Sequence, residues 1–437
     1  MIRRSTRRSA GIAAASAVVF LFLGTTPAAA ADTPWYFSAL KLDAVAAEGF
    51  TGEGVTIAVI DGQINPEVPA LADANLEIRE PSFCYDAASA PIPATTAELS
   101  ATKPTEHGTN VVSMIAGSGA GYDGQSGVSG VAPGAKILYY SIYTSADEND
   151  QLQCADDSGG ETNYLGDAMT EALDDGADII SVSLEQSVNP TVTEALARAM
   201  REGVVVVGSL PNSSELRVSS GMPARANGAV SVQAAGADGS IQATDGEPNR
   251  NSDTDIVAPG LDFTVQGNPA TGQWTEQYQA DGTSLATPLT AGVLALVMEK
   301  YPEATGNQII QSLISNTGAV AGEPQDYDAN ELIGYGLISV ENMMTDDPAK
   351  YDDVNPLILK EAPSTRDVLV PTYEEIFPTE TDSPDPTASA EEPADSATGL
   401  PSWIWIVVGG FVVFVVIIAV VIVLVVRKSR PSTRTSH

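Results

Sequence analysis

Residues 282–288 read Gly-Thr-Ser-Leu-Ala-Thr-Pro and run directly into the apolar stretch LTAGVLALVMEKYP. Ser284 is either the cap of a helix or the nucleophile of a hydrolase, and the fold follows from the choice. Ser is a favoured N-cap, and Pro288 is tolerated within a first helical turn, where its missing N–H costs nothing. Leu285, Leu289, Val293, Leu296 and Val297 recur at helical spacing, and Tyr301-Pro302 stops the run. A helix starts here on either reading, so the rest of the chain has to decide between them.

Upstream, short apolar runs alternate with helical patterns. VTIAVI (55–60), KILYYSIY (136–143), DIISVSL (178–184), VVVVGS (204–209) and AVSVQAA (229–235) read as buried strands. Helical patterns fall near 107–117, 162–175, 191–202 and 284–300. Strands alternating with helices require right-handed crossovers and predict an α/β fold of three layers, a mostly parallel central sheet with helices on both faces. In such sheets sites form at the carboxyl edge of the strands.

The first strand ends in AVIDG, which puts Asp61 at that edge. EHGTNVVSMIAG puts His107 at the start of a helix. Either residue alone reads as structural, Asp61 as a turn or cap. The chain has only two histidines, however, and the other is His437, the last residue. If the folded part uses an imidazole at all, it uses His107. Ser284 also opens a helix, where the partial positive field of the N-terminus favours a developing anion.

With Asp61, His107 and Ser284 in this order, the sequence resembles the subtilisin-like serine peptidases. The resemblance rests on AVIDG, HGTNVVSMIAG, GVAPGAKI (130–137), GADIISVSL (176–184) and GTSLATPLTAGVLAL (282–296), in family order. It spans about 50–340. It implies an endopeptidase that cleaves polypeptides without a cofactor or metal: Ser284 as nucleophile, His107 as base, Asp61 holding the imidazole tautomer. It also implies Asn212, in VVVVGSLPNSS, as oxyanion donor beside the backbone N–H of Ser284, and Ser183-Leu184-Glu185 as the substrate-pairing segment. The chain departs from the family pattern at three places. Gly62-Gln63 follows Asp61 where Thr-Gly or Ser-Gly is usual, Pro211 replaces a Gly before Asn212, and Glu185 replaces a pocket Gly. GTSLATP is not the G-x-S-x-G elbow, which argues against an esterase.

The ends of the chain carry targeting signals. Arg3, Arg4, Arg7 and Arg8 precede an apolar run from Ala10 to Leu23 and then TTPAAAAD, a secretory signal peptide (1–31) rather than an anchor. Residues 32–51 form a short N-terminal extension, too short for the folding prodomain of many tens of residues that secreted subtilisins carry. The peptidase domain is expected over 52–345. From 346 to 402 proline and acids dominate, as in PTETDSPDPTASAEEPADSATG, and predict a solvated tether. WIWIVVGGFVVFVVIIAVVIVLVV (403–426) is uncharged; at ~1.5 Å per residue its 24 residues cover roughly 36 Å, enough to span a hydrocarbon core of about 30 Å. The basic tail 427–437 stays cytoplasmic, so the domain faces outward as a single-pass type I protein of the cell membrane.

Signal and tail together hold eight of the 21 basic residues and no acid; the 13 that remain face all 57 acids, a net charge of −44. Such a surface repels phosphate backbones, and nucleic acid is excluded as a partner. Cys84 and Cys154, the only cysteines, most simply form one disulfide in an oxidising exterior, with two free thiols as the alternative. The acidic loop 145–161 lacks the spacing of an EF-hand, and no metal site is assigned to it. This order of segments resembles the mycosins, anchored subtilisin-like proteases attached to actinobacterial type VII secretion systems. That resemblance implies secretion-system membrane components as partners. It leaves open a second function, a subtilase-fold scaffold that stabilises a secretion complex with little proteolysis.

Overall fold

The computed structural model describes residues 33–146, 152–154, 163–213, 221–324, 326–328, 332–363 and 368–378. Its centre is a seven-stranded sheet of β1 (Thr56–Asp61), β2 (Leu76–Ile78), β3 (Lys136–Ser141), β4 (Ile179–Val182), β5 (Val205–Ser209), β6 (Val230–Ala235) and β7 (Ile256–Pro259), in the order β7-β6-β5-β4-β1-β3-β2. Every neighbouring pair is parallel. The five expected strands are all present. The two edge strands, the three-residue β2 and the four-residue β7, were not expected from the sequence.

Side-chain alternation divides each strand between two cores. Ile57 and Val59 of β1 face a cluster with α1 (Thr105–Ala116) and α4 (Thr283–Lys300), through Val111, Ile115, Leu289 and Val293. Ala58 and Ile60 face the opposite cluster with α2 (Leu165–Asp174) and α3 (Pro190–Glu202), through Met169, Leu173, Val192 and Leu196. This is the expected three-layer arrangement. Strand order reverses at β1, between β4 and β3, so the topological switch point lies at the carboxyl ends of β1 and β4.

Residues 35–47 form two short helices whose Tyr36, Leu40, Leu42 and Val45 are buried. Tyr36 stacks on Phe263 at 4.8 Å and donates its hydroxyl to the Ser129 carbonyl at 2.6 Å, so the N-terminal extension is part of the body. Cys84 and Cys154 are disulfide-bonded, with their Cα atoms 5.3 Å apart. Most of the acidic loop between 147 and 162 lies outside the described residues, as do the signal segment and the apolar run 403–426. Among the described residues no helix is long and apolar enough to cross a membrane.

The boundary expected at 346 is corrected. The folded unit continues to Pro378. Asn227 donates its amide to the carbonyls of Leu359 and Pro371 and accepts from the Leu359 N–H. Asn355 donates to the Gly228 carbonyl, and Arg201 to the Glu375 carbonyl. Leu369 and Ile376 are buried, Ile376 completely and in the core of α2 and α3. Proline and acids made this stretch look solvated, but two apolar anchors and side-chain partners for its backbone hold a strap whose regular structure, among the described residues, is one 3-10 turn at Pro348–Lys350 and one helical turn at Tyr373–Ile376. Ile376→Ala should therefore cost about 2–5 kcal/mol in urea unfolding, as for other buried Ile. A true tether would show no change.

Candidate active site

Asp61 ends β1 with no exposed surface. Its Oδ1 accepts from the Gly62 N–H at 2.7 Å, from His107 Nδ1 at 2.9 Å and from the Tyr143 hydroxyl at 3.0 Å. Its Oδ2 is buried without a partner. His107 is the third residue of α1 and keeps 30% of its side chain exposed. A carboxylate on Nδ1 fixes that nitrogen as the donor and leaves Nε2 as the basic one. Burial by itself lowers the imidazole pKa. The charge and hydrogen bond of Asp61, helped by the charge of Glu106, outweigh it and hold His107 above the ordinary histidine value.

Ser284 is the second residue of α4; the cap position belongs to Gly282. The capping reading is therefore corrected. Pro288 sits one turn further in, inside the helix, and lacks the N–H that would have bonded the Ser284 carbonyl. The Ser183 hydroxyl supplies that bond from just beyond β4, at 3.1 Å. Ser284 Oγ in turn donates to the Ser183 carbonyl at 3.2 Å, and no hydrogen bond joins it to His107 among the described contacts. This reciprocal pair ties the start of α4 to the end of β4, at the switch point.

Asn212 follows β5 and Pro211. Its Oδ1 accepts from the Thr283 N–H at 2.9 Å and from the Thr283 hydroxyl at 3.1 Å. The same hydroxyl donates to the Leu210 carbonyl at 2.6 Å. With its oxygen held on the first turn of α4, the carboxamide has Nδ2 left as its donor. After Pro211, Thr283 and the Asn249 amide, which bonds the Asn212 carbonyl at 3.0 Å, hold both ends of Asn212. Ser183 and Leu184 are buried, while Glu185 is exposed and Gln186 pairs with Met222.

Two residues at the site left no signal in the sequence. Tyr143 comes from beyond β3, which ends at Ser141. Glu106 precedes His107 and is 6% exposed, with Oε2 unpartnered. Burial pushes its carboxyl up to about 7, against its own backbone hydrogen bond and the charge of His107.

A parallel sheet with an Asp–His pair, its carboxylate buried, and a helix-borne Ser at its carboxyl edge suits a serine-type endopeptidase. The chain belongs to the subtilase family, whose model matches residues 52–336. It is 30% identical over 321 residues to Subtilisin BL of Lederbergia lenta, covering 71% of this chain and 98% of that protein. It is 27% identical over 316 residues to Subtilisin E of Bacillus subtilis, covering 71% of each. Among solved structures, fervidolysin from Fervidobacterium pennivorans, a keratinolytic enzyme related to subtilisin, matches with a TM-score of 0.51 at 26% identity, over 71% of this chain and 45% of that one. A protease from Pseudoalteromonas arctica matches with a TM-score of 0.54 at 23% identity, over 71% and 96% respectively, and shares the fold.

Glu106 has a measurable consequence. Its folded pKa lies above its unfolded one, so between roughly pH 4.5 and 7 the folded chain keeps a proton that the unfolded chain has lost. Stability falls as pH rises through that window, by at most about 3 kcal/mol. Glu106→Gln should raise Tm at pH 8 and leave it nearly unchanged at pH 4; equal effects at both would show that ionisation is not what the site resists.

Proposed function

We propose that Asp61, His107 and Ser284 form the catalytic triad of a peptidase that works outside the cytoplasmic membrane. The observation that carries this reading is the 2.9 Å bond from His107 Nδ1 to a fully buried carboxylate. On substrate binding, Ser284 Oγ turns from the Ser183 carbonyl toward His107 Nε2, a rotation about one side-chain bond. His107 takes the hydroxyl proton as Oγ attacks the scissile carbonyl, and Asp61 stabilises the imidazolium. The Ser284 N–H, at the positive end of α4, and Asn212 Nδ2 receive the oxyanion. His107 returns its proton to the leaving amine, and water then hydrolyses the acyl-enzyme by the same steps. Ser183, Leu184 and Glu185 border the bound peptide, with Glu185 at the primary pocket favouring a small or basic residue before the scissile bond.

The compartment is read from the chain ends. A basic, apolar, Ala-rich start and an uncharged run at 403–426 followed by a basic tail support a type I anchored ectodomain. The order of segments supports a mycosin-like role beside a type VII secretion apparatus, whose membrane components would be its partners.

Fluorophosphonate should label the protein at Ser284, and Ser284→Ala should lose both label and peptide hydrolysis. A wild type that takes no label would leave the scaffold reading. Asn212→Ala should lower kcat by about 10²–10³ with little change in KM, as expected for an oxyanion donor felt in the transition state. A loss under about threefold would remove Asn212 from that role. Protease added to intact cells should release the domain by cutting within 379–402, while a tail at 427–437 cut from outside would reverse the topology.

A further inference from the structure

The residue after Asp61 is Gly62, and what demands glycine there is space. A Cβ at position 62 would lie 2.5 Å from Tyr143 Cζ, 2.6 Å from Cε2 and 2.9 Å from the hydroxyl. The ring of Tyr143 therefore occupies the volume that any other residue at 62 would need. In that volume its hydroxyl donates to Asp61 Oδ1, the same oxygen that holds His107. A second tyrosine repeats the arrangement. Tyr139 donates to the Gly62 carbonyl at 2.8 Å, and a Cβ at Gly108, next to His107, would meet its hydroxyl at 2.0 Å. Two glycines flanking the Asp–His pair thus admit two phenols, both fully buried or nearly so.

We propose that Tyr143 is a positioning residue of the catalytic base: its O–H aligns Asp61 Oδ1 on His107 Nδ1 and, by taking up part of the carboxylate charge, limits how strongly Asp61 holds the imidazolium. This rests on the triad assigned above. Tyr143 is a donor at every working pH, because burial first, and then the charge of Asp61, push its phenol well above the ordinary tyrosine range. The other titratable groups at the pair are Glu106 from α1 and Tyr139 from β3, with Tyr278 coupled to Glu106 from the strand Gln273–Ala280. Among these groups only Tyr143 and His107 hydrogen-bond the Asp61 carboxylate.

Removing the O–H alone leaves the negative charge on Asp61 Oδ1 shared with one donor fewer, so His107 should hold its proton to higher pH. Tyr143→Phe keeps the ring against Gly62 and tests this directly. We expect kcat to fall about five- to thirtyfold with KM within twofold, and the acid limb of kcat/KM to move up by about half a pH unit. NMR titration of the whole chain carrying His437→Gln, in which His107 is the sole imidazole, should show the same upward movement without any reference to turnover. An unchanged kcat together with an unmoved His107 titration would overturn the proposal and leave Tyr143 as filling. The exchange of volume supplies a second test. Gly62→Ser and Tyr143→Ala should each impair turnover per fluorophosphonate-titrated site. Combined, they restore a hydroxyl beside Asp61 where there is now room for it, and the double variant should be at least fivefold more active than Tyr143→Ala. Losses that simply multiply would reject the exchange. A wild type that is neither labelled nor active would instead sink the triad assignment, so the two failures are distinguishable.

Discussion

The bond between Asp61 and His107 is made by a carboxylate withdrawn entirely from water, and most of the surrounding structure compensates for that withdrawal. Burying an ionised carboxylate costs several kcal/mol, and each hydrogen bond to the charge returns about 1.5–3 kcal/mol. Oδ1 collects three, from a backbone N–H, an imidazole and a phenol, while Oδ2 collects none. The imbalance is directional: charge is drawn to the oxygen that faces His107. Gly62 and Gly108 follow from the same constraint, since they are the gaps through which Tyr143 and Tyr139 reach the loop.

The Ser284 side of the site is held by backbone rather than by charge. Thr283 joins α4 to the end of β5, and the Ser183 hydroxyl covers the carbonyl that Pro288 leaves open. These bonds fix the main chain of Ser284 and leave its side chain able to turn. A helix that is apolar on every side and buried from Thr283 to Val297, apart from Ser284, carries that residue up to the sheet edge. The anion-stabilising field of its first turn is therefore held as rigidly as the core itself.

The outer layers follow a different economy. A chain with so large an acidic excess cannot rely on surface ion pairs, which contribute little in any case. The strap from 346 to 378 is fastened by Asn227, Asn355 and a few buried apolar side chains, together with single charged groups: Arg201 donates to the Glu375 carbonyl, and Asp353 accepts from Thr305 and Asn307.

Asp61, His107 and Ser284 were picked out by the motifs that carry the family resemblance, while the strand end and helix starts on which they lie were legible from local pattern. Long apolar runs likewise announced five of the seven strands. Tyr143, Tyr139 and Thr283 were not legible. Their roles depend on which strand lies beside which, and hydrogen-bond partners 71 to 82 residues apart leave no local period. Pro211 looked disruptive for the same reason: its neighbours in sequence do not include the threonine that holds Asn212. The strap misled because composition reports average solvation, whereas its attachment rests on a few contacts. Sequence by itself determined the alternation of strands and helices and, through the family's motifs, which residues are candidates for the chemistry. Tertiary structure alone decided how the buried carboxylate is held, because that requires volume surrendered by one segment to be filled by another.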